Sequence, residues 1–198
     1  LALYALGSGR FHLPLGEVLR MLAGAQDVPL AAETVLWQIR GPRVLAAIVV
    51  GAALAASGAA LQSVFRNPLA APDLLGVSAG AALGAVLGIF LGWSAIAIQA
   101  SAFAGGLAAV ALVYAVGTVL PLRDRTLSLV LAGIAIGSML GALIALVKTL
   151  ADPYSQLPAI TFWLLGSFAS ITAVDVALLA LLAALGLVPL VLMRWRAD

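Results

Sequence analysis

Arg40 and Arg43 are the residues whose type and spacing best suit a chemical task. Three positions apart on a helix, two guanidiniums face the same way, and Pro42 between them is tolerated in a first helical turn. Such a pair suits bidentate capture of a carboxylate. Snorkelling at a membrane edge would use the same residues with no ligand. Elsewhere, catalytic chemistry is missing. The sequence has no paired-carboxylate site, no His–Glu metal spacing, no Gly-x-Ser-x-Gly elbow and no Gly-Lys-Ser/Thr phosphate loop. His12 is the single histidine and has no carboxylate cluster beside it, which suits a surface or interfacial position. The chain has no Cys, so disulfides and thiolate metal sites are excluded. No acidic residue sits in mid-span, where an ion relay is expected, and Asp175 and Lys148 lie near span ends. No catalytic residue and no metal ligand is assigned.

The elements that position these residues are membrane spans. Of 198 residues, 64% are hydrophobic and 9% charged, against about 25% charged in an ordinary soluble domain. A net charge of +2 with no clustered basic face excludes a nucleic-acid partner. A span needs about 20 apolar residues to cross about 30 Å of hydrocarbon. Five complete spans are read at about 44–65, 74–91, 95–119, 127–150 and 173–193, with a reversal at Gly92-Trp93-Ser94. Residues 11–43 form a loop outside the membrane, with helical amphipathic spacing over Leu15–Leu22. Residues 153–171 hold Pro153 and Pro158 and suit a short interfacial helix rather than a span. The whole is expected to be one all-α transmembrane domain. Leu1–Leu6 reads as the tail of a truncated first helix and Arg194-Trp195-Arg196-Ala197-Asp198 as a membrane-edge anchor, so a fragment of a longer protein is expected.

Small residues give a second pattern. Gly76, Gly80, Gly84, Gly88 and Gly92 recur every four residues, Gly133, Gly137 and Gly141 repeat this, and Gly51, Ala55 and Gly58 form a looser version. Residues four apart share a helix face. A glycine ridge lets backbones approach closely where lipid offers no hydrophobic gain. Helix packing is the ordinary reading for Gly51, Gly58, Gly76, Gly80, Gly84 and Gly88. Gly133 to Gly141 also leave room for a wide path.

Longer motifs carry a resemblance. Arg40-Gly41-Pro42-Arg43-Val44-Leu45 is followed by Val50-Gly51-Ala52-Ala53-Leu54, then by Arg66-Asn67-Pro68-Leu69-Ala70-Ala71-Pro72 and Leu75-Gly76-Val77-Ser78-Ala79-Gly80. Leu131-Ala132-Gly133-Ile134 and Phe162-Trp163-Leu164-Leu165-Gly166-Ser167-Phe168 come later in the same order. Nearly the whole chain resembles the N-terminal part of permeases of the iron-siderophore, haem and cobalamin ABC importers.

That resemblance implies a bundle of about ten helices per full subunit, with the end of the first helix through the sixth in this chain. It implies a bacterial cytoplasmic (inner) membrane location and a dimer with a second permease subunit. It also implies two ATPase subunits carrying ATP and Mg, an extracytoplasmic substrate-binding protein, surrounding lipid, and no cofactor on this chain. Arg40 and Arg43 match the family's Arg-x-Pro-Arg element, expected to meet carboxylates of the binding protein. Gly133, Gly137, Ser138 and Gly141 match a pathway-lining helix, and Asn67 and Pro68 a cytoplasmic turn whose simpler role is chain reversal. The cargo implied is a bulky metal chelate, moved by alternating access.

Charge does not orient the chain. The implied topology puts Arg66, Arg123, Arg125, Arg194 and Arg196 inside and Arg10, Arg20, Arg40, Arg43 and Lys148 outside, an even split. An ion-coupled secondary transporter is the nearest rival on physics alone. A channel is the next, though no charged ring or carbonyl filter is present.

Overall fold

A computed structural model describes residues 1–25, 28–119 and 125–193. Arg123 and the 194–198 anchor lie outside the described residues, as does the Arg125 side chain. The order is α1 (Ala2–Gly7), α2 (Leu15–Leu22), α3 (Leu30–Thr34), a π-helical turn (Val35–Arg40), α4 (Gly41–Phe65), a 3₁₀ turn (Pro72–Leu75), α5 (Val77–Phe90), α6 (Ala95–Val119), α7 (Arg125–Leu150), α8 (Gln156–Leu165) and α9 (Ala173–Met193). The described residues are all-α, with no strand among them. Four helices are long and apolar enough to cross a membrane: Leu30–Phe65, Ala95–Val119, Thr126–Leu150 and Ala173–Leu192.

Two features differ from the sequence reading. Residues 30–43, read as loop, are helical, because α3, the π turn and α4 run on without a break as Leu30–Phe65. Pro29 supplies the start, and the π turn absorbs Pro42. The Gly41 N–H reaches back five residues to the Leu36 carbonyl, widening the helix where a proline removes the usual bond and crowds the preceding turn. Gly41 fits there because a Cβ would come within 2.8 Å of that same carbonyl.

Second, the segment read as a span over 74–91 is α-helical only over the 14 residues Val77–Phe90, about 21 Å long. Pro72 opens a 3₁₀ turn instead, and Gly76, at φ +69° in the left-handed region, separates that turn from α5. The chain divides into two compact units, Leu1–Ala56 with Phe168–Asp198, and Ser57–Ser167.

In the first unit α2 has apolar residues at helical spacing, and Val18 and Met21 pack with Leu13, Ala32 and Leu36. The apolar window of α9 is wholly unburied, the state expected of a helix whose neighbours are lipid or another chain. In the second unit α5, α6 and α7 pack together. Ala109 and Val113 of α6 meet Ala132, Ile136 and Leu140 of α7, and Ile160 of α8 closes on Val86 and Ala151.

The α5–α6 contact is made backbone to backbone. A Cβ on Gly80 would overlap the Gly105 carbonyl, one on Gly84 the Ser101 carbonyl, and one on Gly88 would come within 3.1 Å of Ile98 and the Ser101 hydroxyl. By contrast, Gly51 and Gly58 on α4 meet nothing within 4 Å, and Gly76 makes ordinary contact with Gly133 and Gly137.

Candidate functional site

The arginine pair lies in the first unit, where the π turn gives way to α4. Both side chains are partly buried, and both are engaged with the chain's own backbone. Arg40 Nη1 donates to the Leu6 carbonyl at 2.7 Å, and its Nη2 donates to the Phe11 carbonyl. Arg43 Nη2 donates to the Ala169 carbonyl just before α9. One guanidinium therefore ties down the turn after α1, and the other ties down the entry to α9. Each has five N–H groups, so these bonds leave donors for an external acceptor. Gly9, at φ +148°, makes the fit possible, since a Cβ there would stand 2.5 Å from Arg40 Nη2.

In the second unit, Gly133, Gly137 and Ser138 of α7 line one cavity of about 540 Å³ with Asp73, Leu74 and Gly76. Gly141, one turn further along α7, is not among its lining residues and faces open space. Gly133 is the closest approach, because a Cβ there would overlap the Leu74 carbonyl of the 3₁₀ turn. The Ser138 hydroxyl donates to the Ile134 carbonyl at 2.8 Å within its own helix, leaving its oxygen to accept. Asp73 brings the one carboxylate in this lining and was missed by sequence reasoning. Its neighbours Pro72 and Gly76 were the available signal, since they break the helix and turn residue 73 towards α7.

Asn67 and Pro68 form the turn that ends α4. The Asn67 side-chain oxygen accepts the Leu69 N–H at 2.9 Å, and its backbone carbonyl accepts the Ala70 N–H at 3.1 Å, an Asx turn.

A second support was invisible to spacing. Gln156 Nε2 donates to the Phe90 carbonyl at 2.9 Å, and its Oε1 accepts the Asp152 N–H at 3.0 Å, joining the end of α5 to the start of α8. The Asp152 carboxylate accepts the Ser155 hydroxyl at 2.6 Å and the backbone N–H groups of Ser155 and Tyr154. Those bonds, the Ser155 hydroxyl first, hold its pKa below the ordinary carboxylate value. Among the described residues no group of three His, Cys, Asp or Glu could hold a metal.

Comparison with known proteins gives the ancestry of this arrangement. The chain is 38% identical over 172 residues to the molybdate import system permease protein MolB of Haemophilus influenzae, covering 85% of this chain and 51% of that protein. It is 38% identical over 167 residues to the vitamin B12 import system permease protein BtuC of Salmonella paratyphi A, covering 79% and 50%. It therefore spans about half the length of these curated relatives. A solved structure, described as an inward-facing conformation of a metal-chelate type ABC transporter, matches with a TM-score of 0.83 at 33% identity. That match covers 98% of this chain and 58% of the other. Four apolar helices of spanning length and this kinship make the chain a multi-pass protein of the cytoplasmic (inner) membrane. The model of the FecCD transport family matches residues 1–198, and the chain belongs to that family.

Proposed function

We propose that this chain forms part of the membrane-spanning subunit of an ATP-driven importer for a metal chelate, such as a ferric siderophore, haem or cobalamin. The observation that carries the reading is the match of 98% of the chain, at a TM-score of 0.83, to a metal-chelate ABC transporter. The chemistry of the chain agrees. Among the described residues there is no catalytic constellation, and in this reading energy enters through separate ATPase subunits that bind ATP and Mg. Apolar faces left open on α4 and α9 suit a second permease subunit and lipid.

In this reading Arg40 and Arg43 use their remaining donors to receive carboxylates of an extracytoplasmic binding protein. The cavity beside Gly133, Gly137 and Ser138 belongs to the path, which opens alternately to each side. Glycine walls suit a bulky cargo because they give clearance without binding it tightly. A test is copurification of the intact permease with its ATPase, with and without the Arg40→Glu/Arg43→Glu change. Loss of binding-protein capture while the ATPase still copurifies supports docking. Undiminished capture reduces the two arginines to braces for Leu6, Phe11 and Ala169.

A further inference from the structure

A cavity of about 510 Å³ in the first unit has a composition that docking does not explain. Arg10, Arg40 and Arg43 all line it, and no Asp or Glu does. Arg10 has no hydrogen-bond or ion-pair partner among the described residues, and its side chain is exposed. Apart from Ser8 and Gly9 the rest of the wall is apolar, and its larger part comes from one stripe of helix, Val35, Ile39, Val44 and Ala47, with Ala5 and Phe11 beside it. The π turn brings this stripe together. With its wider winding, residues four and five apart share a face, so Val35 stands in line with Ile39 and Arg40, and the α-helical spacing resumes at Val44 and Ala47.

The order of chemistry along this stripe identifies the ligand. Guanidiniums gather at Arg40 and Arg43, and the wall then continues through Val44 and Ala47 into the uncharged run that ends at Phe65. A free anion would use the arginines and leave the apolar wall wet. A zwitterionic lipid carries its own cation towards three positive charges. A phosphate or phosphodiester joined to an acyl chain satisfies both halves, because guanidiniums pair bidentately with phosphate oxygens and the chain lies along Val44 and Ala47. Basic pockets among transmembrane helices bind anionic lipid headgroups on this principle.

We propose that the cavity is a binding site for an anionic glycerophospholipid, with its phosphate held by Arg10, Arg40 and Arg43 and one acyl chain along Val44 and Ala47. The proposal rests on membrane insertion alone and not on the importer reading. Bound there, the lipid holds the turn after α1 against α4, adding to the bonds from Arg40 to Leu6 and Phe11.

The test is native mass spectrometry of the intact, delipidated transporter complex, titrated with phosphatidylglycerol or with phosphatidylcholine of the same acyl chains. Phosphatidylglycerol is expected to be retained at least tenfold better. Arg10→Gln should weaken that retention about fivefold, the effect of one arginine near an anionic lipid, and without risk to folding, since Arg10 braces nothing. Ala47→Phe, which fills the apolar wall and leaves the charges in place, should weaken it as well. Equal retention of the two lipids, or retention indifferent to Arg10→Gln, overturns the proposal. Displacement of phosphatidylglycerol by an equal concentration of inorganic phosphate overturns the lipid assignment and leaves a simple anion site. ATP-dependent uptake is read separately, so failure of the importer reading and failure of this site are distinguishable.

Discussion

The Ser101 hydroxyl of α6 lies within hydrogen-bond reach of two carbonyls, Gly84 of α5 at 2.9 Å and Ile98 of its own helix at 2.8 Å, at a contact where a Cβ on Gly84 would overlap the Ser101 carbonyl. At Gly84 the two backbones meet directly, and that approach brings the Ser101 hydroxyl within reach of the Gly84 carbonyl. Gly84→Leu is expected to separate them and to cost about 1–3 kcal/mol, the usual range for overpacking. Ser101→Ala should cost only about 0.6 kcal/mol, typical of a side-chain bond inside a membrane protein. Thermal unfolding of the intact subunit in detergent, followed by tryptophan fluorescence, measures both. A Ser101→Ala effect equal to that of Gly84→Leu would shift the weight from packing to the hydrogen bond.

Gly9→Ala tests whether the arginine brace is as tight as it looks. The new methyl would stand 2.5 Å from Arg40 Nη2, at a φ of +148° that side chains seldom adopt. A loss of about 1–3 kcal/mol is expected from the backbone strain, with freer proteolysis of residues 7–13. Gly16→Ala, placed in open space within α2, should neither lower stability nor free residues 7–13 to proteolysis, since Ala favours a helix over Gly.

Fold class was legible because composition decides it: with 9% charged residues the chain has too little polar surface for water, and an all-α bundle follows. Family was legible because the motifs from Arg40 to Gly80 are long and ordered. What spacing cannot convey is which helix face meets a neighbour. Gly51 and Gly58 look like Gly84 in sequence, yet they meet open space where Gly84 meets backbone. The π turn was also hidden. The pattern shows Pro42 but not the extra residue that accommodates it, so a helix beginning at Leu30 was read as loop. The brace from Arg40 to Leu6 joins residues 34 apart, and no local periodicity reports such a pair. Asp73 was missed because it stands just before the segment read as a span from 74, and spacing does not show that Gly76 ends a separate turn that carries it.

Asp152 predicts a pH dependence at the start of α8. Its carboxyl titrates below the ordinary 3.8 because Ser155 and Tyr154 donate to the charged form. The sign follows from linkage: a depressed folded pKa gives stability that is present above the unfolded value and is lost as pH falls through the folded one. Hydrogen exchange of residues 152–157, corrected for the intrinsic rate, should therefore rise as pH drops below about 4. Asp152→Asn should show the raised exchange at neutral pH and little further change on acidification.

The cavity beside α7 gives a graded prediction. A methyl on Gly133 collides with the Leu74 carbonyl, whereas one on Gly141 enters open space. Gly133→Ala is expected to displace the 3₁₀ turn and lower cargo uptake at least tenfold, and Gly141→Ala to leave it within about twofold. Parallel measurement of ATPase copurification separates a blocked path from a failed assembly.

In the proposed reading, transport through this subunit is driven by ATP hydrolysed on another chain. The most direct measurement is uptake of labelled ferric siderophore, haem and cobalamin into proteoliposomes holding the intact permease, its ATPase and its binding protein, with ATP inside and ion gradients collapsed. Accumulation of one of these cargoes that requires hydrolysable ATP is the predicted result. Accumulation that persists without ATP and follows an imposed ion gradient would contradict it and make the protein a secondary transporter.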